Sequence, residues 1–290
     1  MMFKKHAPFV NLVRWCVLTM FEQRLLLGVI IVLHFLSGVL AAEKTLAFAV
    51  ASPPALGDAL FVALAGPAVE ALDLVTVSTW VLTRLLFWLL VARLINEQAP
   101  TADYALLLRV ASRRRWLGGV LTSIVIAAIL YVSLSTLCSV AGIGLTLGWN
   151  FEPSPFFAEL GLWTHLSELS FVQIFTLIWG VTTLSLLADG FLLSLITLRV
   201  RRVAWGILLL LSLALLAWLV GVFETAPAWQ IWLPPTASIV SRHAPFEPRL
   251  SALTLEFTLA YHLVLAGLTA LAAFLMVRKH DFSGGTHDFT

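Results

Sequence analysis

Leu25-Leu26-Leu27-Gly28-Val29-Ile30-Ile31-Val32-Leu33-His34-Phe35-Leu36-Ser37-Gly38-Val39-Leu40-Ala41-Ala42 carries no charge, and its only polar side chains are His34 and Ser37. At about 1.5 Å of rise per helical residue, such a run spans roughly the 30 Å hydrocarbon thickness of a bilayer. The composition of the whole chain agrees. It has 290 residues, 60% of them hydrophobic and 12% charged, and a mean hydropathy of +0.96. Soluble domains carry about a quarter charged residues. Here the bilayer is the solvent, and the expected fold class is an all-α integral membrane protein.

Working outward, five further apolar runs qualify as spans: Leu74–Leu94, Trp116 to about Val140, about Leu169–Leu198, Val203–Phe223 and about Ala252–Val277. Residues 45–72 are apolar but broken by Pro53-Pro54, Gly57-Asp58 and Gly66-Pro67. A seventh crossing there would place Arg93, Arg109 and Arg113–Arg115 outside, against the positive-inside rule. The segment reads instead as part of an outer loop, 43–73, with a short helix packed at the interface. The other outer loops are 149–167, which follows a chain loosened by Gly142, Gly144 and Gly148, and the Pro-rich 224–252.

Residues 1–24 hold Lys4, Lys5, Arg14 and Arg24 around Phe9, Leu12, Val13, Cys16, Val17, Met20 and Phe21. The three- and four-residue spacing of the apolar set predicts an amphipathic helix on the inner membrane surface. A cleaved signal peptide fits less well, because Arg14, Glu22 and Arg24 delay the apolar run. With six spans and both ends inside, every Lys and Arg is cytosolic except Lys44, Arg84, Arg242 and Arg249. The chain is then a multi-pass protein of a bacterial inner membrane, with residues 279–290 as a cytosolic tail. Cys16 and Cys138 fall on different elements and are expected to be free thiols. Nothing in the sequence reads as a P-loop, so no nucleotide site is expected in this chain.

The longest polar interruption is the inner segment 96–115. Glu97 is followed by Pro100-Thr101-Ala102-Asp103, then Tyr104, Leu106-Leu107-Leu108, Arg109 and Arg113-Arg114-Arg115, and the next span opens Leu117-Gly118-Gly119. The order is acid, turn, Leu-rich helix, basic residue and Gly-containing span start. Together with an inner amphipathic helix before span one, a tight inner turn after span four and a Pro-rich outer segment before span six, it resembles the permease subunit of ABC-2 type transporters. Pro100 and Gly119 depart from the family pattern. The resemblance implies a paired permease, as a homo- or heterodimer, driven by a separate ABC ATP-binding subunit that itself holds ATP and Mg. It implies export as the direction of transport. It also makes Glu97, Thr101, Asp103, Tyr104, Leu107, Leu108, Arg109 and Arg113 the coupling residues. Tyr104, Leu107 and Leu108 suit a helix-in-groove anchor, and the arginines suit its charged rim. A plainer role for those arginines is to set orientation and bind anionic lipid.

Arg84, near the middle of span two, and Asp189, in the inner half of span four, are intramembrane charges. Such groups must face protein or water and seek a partner. They either pair with each other or line a translocation path. His34 and His262 lack a second His or Cys at helical spacing, so hydrogen-bonded packing is expected of them rather than metal binding. No metal, cofactor or catalytic residue is assigned to this chain. An intramembrane enzyme would need a convergent catalytic set, which the sequence does not supply. It and a membrane scaffold or sensor subunit are the alternative readings.

Overall fold

The computed structural model describes residues 7–49, 52–67, 74–98, 113–152, 154–159, 164–200, 202–222, 228–247 and 250–279. Among them, six helices are long and apolar enough to cross a membrane. They are α2 (Arg24–Phe48), α4 (Leu74–Gln98), α5 (Arg113–Leu147), α7 (Phe171–Val200), α8 (Val203–Val222) and α10 (Leu255–Lys279). Shorter helices are α1 (Ala7–Phe21), α3 (Leu56–Leu64), α6 (Phe156–Glu159) and α9 (Pro234–Ala237).

Several helices run past the ends expected from hydropathy. α2 continues through Glu43 and Lys44 to Phe48, and α5 continues past Val140 to Leu147. Gly142 and Gly144 therefore do not loosen the chain. Gly142 is the point where α5 crosses α2: a Cβ there would strike the Phe35 carbonyl. The helix ends only at Gly148, whose φ of +88° an L-residue would resist.

Bilayer helices have no hydrophobic drive to associate, so close backbone approach by small residues does the work. The exposure pattern follows that rule. On α2 the buried positions are Ile30, His34, Ser37, Gly38, Ala41, Ala42 and Thr45, while Val29, Val32, Leu36 and Leu40 face outward. On α8 the buried set is Val203, Gly206, Leu210, Ala214, Ala217 and Gly221, with Leu208, Leu209, Leu215, Leu216 and Leu219 outside. On both helices the outward positions are large aliphatic residues, and most of the buried ones are small.

α1 packs against the start of α5 and the end of α4. Its Leu12, Cys16, Thr19 and Met20 are buried. Phe9 and Leu12 lie over Gly118 and Gly119, and Glu22 is 3.8 Å from Arg93. Its opposite face exposes Val10, Trp15 and Leu18.

At the other end of the bundle, α3 differs from the rim helix expected there. Seven of its nine residues are buried, and it packs among α2, α5 and α7. A helix apolar nearly all round belongs inside rather than at an interface. Phe61 packs against Phe246 with ring centroids 4.9 Å apart and the ring planes tilted by 59°. The Leu56 N–H donates to Asn150 O at 3.0 Å. Asp58 accepts the Ala55 N–H at 2.7 Å, which holds the first turn closed.

Burial pushes the Asp58 carboxyl up to about 6, against hydrogen bonds from Ala55 and Ser154 that favour its charged form. An unfolded aspartate releases its proton near pH 4. Between pH 4 and 6 the folded chain thus keeps a proton that the unfolded chain has lost, and stability falls as the pH rises. Asp58→Asn is expected to remove this slope. Relative to the variant, the native chain should lose on the order of 2–3 kcal/mol between pH 4 and pH 7. Parallel thermal unfolding curves at the two pH values would show whether it does; identical pH dependence would exclude the effect.

Candidate functional site: a buried ion pair beside a polar cavity

Trp80, Arg84 and Trp88 recur at four-residue spacing, so they share one face of α4. Ser185 and Asp189 do the same on α7. The two faces meet inside the bundle. Arg84 Nη1 donates to Asp189 Oδ2 at 2.5 Å, and both side chains are 3% exposed. Arg84 Nη2 donates to Ser185 Oγ at 2.7 Å and also to Ser238 Oγ. Trp88 Nε1 donates to Asp189 Oδ2 at 3.2 Å, and the Arg84 guanidinium lies 4.9 Å from the centre of the Trp80 ring. A buried charge is tolerated when it is paired and its remaining protons are bonded. Here α4, α7 and the segment that carries α9 supply the pairing and bond both terminal nitrogens of Arg84, while its Nε is left without a partner. The pairing alternative for Arg84 and Asp189 is the observed one.

Ser238 hydrogen-bonds the pair from outside the spans. It donates its own proton to Pro235 O at 2.6 Å. The segment around it, 228–247, enters the bundle rather than looping over it. Ser241 Oγ donates to Gly66 O at 3.1 Å. Arg242 is fully buried. Its Nη1 donates to Ala217 O at 2.7 Å and its Nε to Pro67 O at 3.2 Å. The Ala217 carbonyl lies near the C-terminal end of α8, where the helix dipole favours a cation. Burial lowers the Arg242 guanidinium to about 10; the guanidinium stays charged at any physiological pH. His243 Nδ1 lies 3.1 Å from the carbonyls of Ile239 and Val240, so that nitrogen carries the proton. Its Nε2 then accepts from the Thr258 hydroxyl at 2.8 Å. Burial holds the His243 imidazolium form down, so the ring works as a neutral hydrogen-bonding bridge to α10.

A second buried chain runs from α2 to α4. Tyr131 donates to Thr83 O at 2.6 Å, and His34 Nε2 lies 3.4 Å from the tyrosine oxygen. His34 is thus a packing residue, as is His262, whose Nδ1 lies 2.9 Å from Thr258 O. Among the described residues no group of three or more His, Cys, Asp or Glu side chains could hold a metal ion.

Between these two networks lies a cavity of about 30 Å³, walled by α3, α4, α5 and α7 and by Ser238. That is room for about two water molecules. Arg84, Tyr131, Ser135, Thr136, Thr83 and Thr182 supply its polar lining.

Thr101, Asp103, Tyr104, Leu107, Leu108 and Arg109 lie outside the described residues. Glu97 is in the last turn of α4 and Arg113 opens α5. Sequence reasoning singled out Arg84 and Asp189 but missed Ser185, Trp88 and Ser238. The first two were available from the four-residue spacing. Ser238 had no local signal, because only the tertiary path of 228–247 brings it there.

No family model, no curated protein and no solved structure matches this chain.

Proposed function

We propose that this chain is the permease subunit of an ABC-2 type exporter in a bacterial inner membrane, with both termini in the cytosol. It pairs with a second permease subunit and is driven by a separate ABC ATP-binding subunit that binds ATP and Mg. The reading rests first on the sequence of 96–115. One structural observation carries it further: α1 braces the end of α4 and the start of α5, the two helices that this basic segment joins. Force applied to the segment would act on a braced pair of helices rather than on a free loop. The exposed Val10, Trp15 and Leu18 on α1 suit an inner-leaflet surface, with Arg14 at the headgroups. The inward path of 228–247 ahead of the last span suits an outer closure of the translocation path.

The coupling role has a direct test. Leu107→Asp or Leu108→Asp would put a charge on the apolar stripe that seats in the ATPase groove. Each is expected to reduce the ATPase recovered with the purified chain at least tenfold, since burying an unpaired carboxylate costs several kcal/mol. Membrane insertion should be unchanged. Variants that retain both the ATPase and its stimulation would leave the arginines with orientation and lipid binding alone.

A further inference from the structure

Asp58 is a second buried carboxyl, 3% exposed, apart from the ion-pair network. Its helix packs among α2, α5 and α7. Beside it lies a cavity of about 10 Å³, room for a single water molecule. Leu166, Leu169, Phe171 and Ile174 line the apolar side of this cavity, and Asp58, Glu152 and Ser154 the polar side. Among the described residues of this lining, Glu152 alone is exposed, and Asn150 and Phe151 beside it are exposed too. The segment that carries them is held by a few bonds near the surface. The Leu56 N–H donates to Asn150 O at 3.0 Å. Ser154 Oγ donates to Pro53 O at 3.3 Å and bonds the Asp58 carboxyl. Phe151 meets Phe171 edge-on, with ring centroids 5.0 Å apart. Further on, the Glu159 carboxylate accepts from the Ser52 N–H at 3.1 Å and from its hydroxyl at 2.5 Å.

The electrostatics set a direction. Burial raises the Asp58 carboxyl to about 6, against the hydrogen bonds from Ala55 and Ser154. Ionised Asp58 is penalised by its lack of water, and protonated Asp58 is not. The apolar side of the cavity cannot supply that water. The segment of Glu152 and Ser154 can, by parting locally from α3. Other titratable side chains described at this end are Glu43 and Lys44 on α2, and Glu152, Glu159 and Glu168 between α5 and α7. α7 presents Phe171 and Ile174 to the cavity, neither of which titrates. No cation stands behind the behaviour of Asp58, which burial and two hydrogen bonds account for.

We propose that the segment of Asn150, Glu152 and Ser154 is a pH-sensitive latch on α3, shut over protonated Asp58 and opening more often once Asp58 ionises. The latch does not rest on the permease reading. An aspartate open to water releases its proton near pH 4, and the shut one at about 6. The open fraction should therefore rise about tenfold between roughly pH 5 and pH 7.5. At its other end α3 grips the inward segment, where the Ser241 N–H donates to Ala65 O at 3.2 Å. The proton-sensitive end of α3 thus sits one short helix away from the segment that bonds Arg84.

The test is amide hydrogen exchange of the full chain in phosphatidylcholine nanodiscs, with labelling times scaled for the intrinsic effect of pH on exchange. Peptides over 52–58 and 148–158 are expected to lose about tenfold in protection between roughly pH 5 and pH 7.5. Peptides from the middle of α5 should keep theirs. Asp58→Asn retains an acceptor for the Ala55 N–H and cannot ionise, so it should stay shut and lose the pH dependence. Ser154→Ala removes a bond that favours the charged form and should move the midpoint of the response to higher pH. That readout stands even if Asp58→Asn fails to fold. Protection at 148–158 that ignores pH, a response that Asp58→Asn keeps, or a midpoint that Ser154→Ala leaves unmoved would overturn the latch. Equal loosening of every helix would overturn it too, since Asp58 would then act on global stability alone. A response abolished by Glu152→Gln but kept by Asp58→Asn would assign the proton to the wrong carboxyl and sink the proposal.

Discussion

Asp189→Ala is expected to cost about 3–5 kcal/mol of stability, and Arg84→Leu with Asp189→Leu together to recover most of it. The single change strands a cation that is 3% exposed and has no other carboxylate among its hydrogen-bond partners. Removing both charges strands nothing ionic. It leaves only Ser185, Ser238 and Trp88 to find other partners, and each neutral hydrogen bond lost is worth about 1 kcal/mol. Ser238 retains its own bond to Pro235 O, and Ser185 can turn to its own helix backbone. Arg84→Leu alone should be as harmful as Asp189→Ala, because it buries a bare carboxylate held only by the Trp88 N–H at 3.2 Å. The measurement is reversible unfolding in nanodiscs or micelles followed by tryptophan fluorescence. If the double variant were as unstable as either single one, the pair would contribute through the Ser185 and Ser238 hydrogen bonds rather than through its charge. Transport, once assayed, separates a second role: a pair that also shapes the path would leave the double variant stable but inactive.

The amino-acid sequence was most legible where one physical cause acts alone. Hydropathy over about twenty residues marks a span whatever its neighbours are, so all six long helices were visible. Their ends were not, because a helix in lipid stops where its backbone must turn, not where its side chains become polar. α2 runs through Glu43 and Lys44, and α5 runs through Gly142 to Leu147 and stops at Gly148. A short helix was expected where α3 lies, but its burial inside the bundle was not legible. Asp58 and Gly57 look like loop residues, yet Asp58 closes the helix's own first turn, and a Cβ on Gly57 would lie 3.0 Å from Ile174. The ion pair was half legible: rarity marked Arg84 and Asp189, but their depth could not be fixed to better than a turn or two. Arg242 was wholly missed. It reads as an ordinary outer-loop arginine, and only the inward course of 228–247 makes it a buried clamp on α8.

The α2–α5 crossing gives the other large effect. Gly38→Ala and Gly142→Ala are each expected to destabilise the chain by about 1–3 kcal/mol, and Val at either position to abolish the native packing. A Cβ on Gly38 would strike the Ser139 carbonyl oxygen and lie 2.9 Å from its carbon. A Cβ on Gly142 would strike the Phe35 oxygen and lie 3.1 Å from the Val39 nitrogen. These obstacles are backbone atoms in the middle of helices and cannot swing aside. The helices must part, and the bond from Ser139 Oγ to His34 O at 3.0 Å goes with them. Gly119 makes the contrast. Its obstacle is the end of the Leu12 side chain, which can change rotamer, so Gly119→Ala should cost less. Gly28 has nothing within 4 Å, and Gly28→Ala should be neutral or gain up to about 1 kcal/mol from helix propensity. The double variant Gly38→Ala/Gly142→Ala should cost less than the sum of the two, because a crossing already widened by the first methyl admits the second. Unfolding free energies of the four single variants and the double would decide it. Strict additivity, or a Gly28→Ala as harmful as Gly38→Ala, would show that the crossing is not where these glycines act.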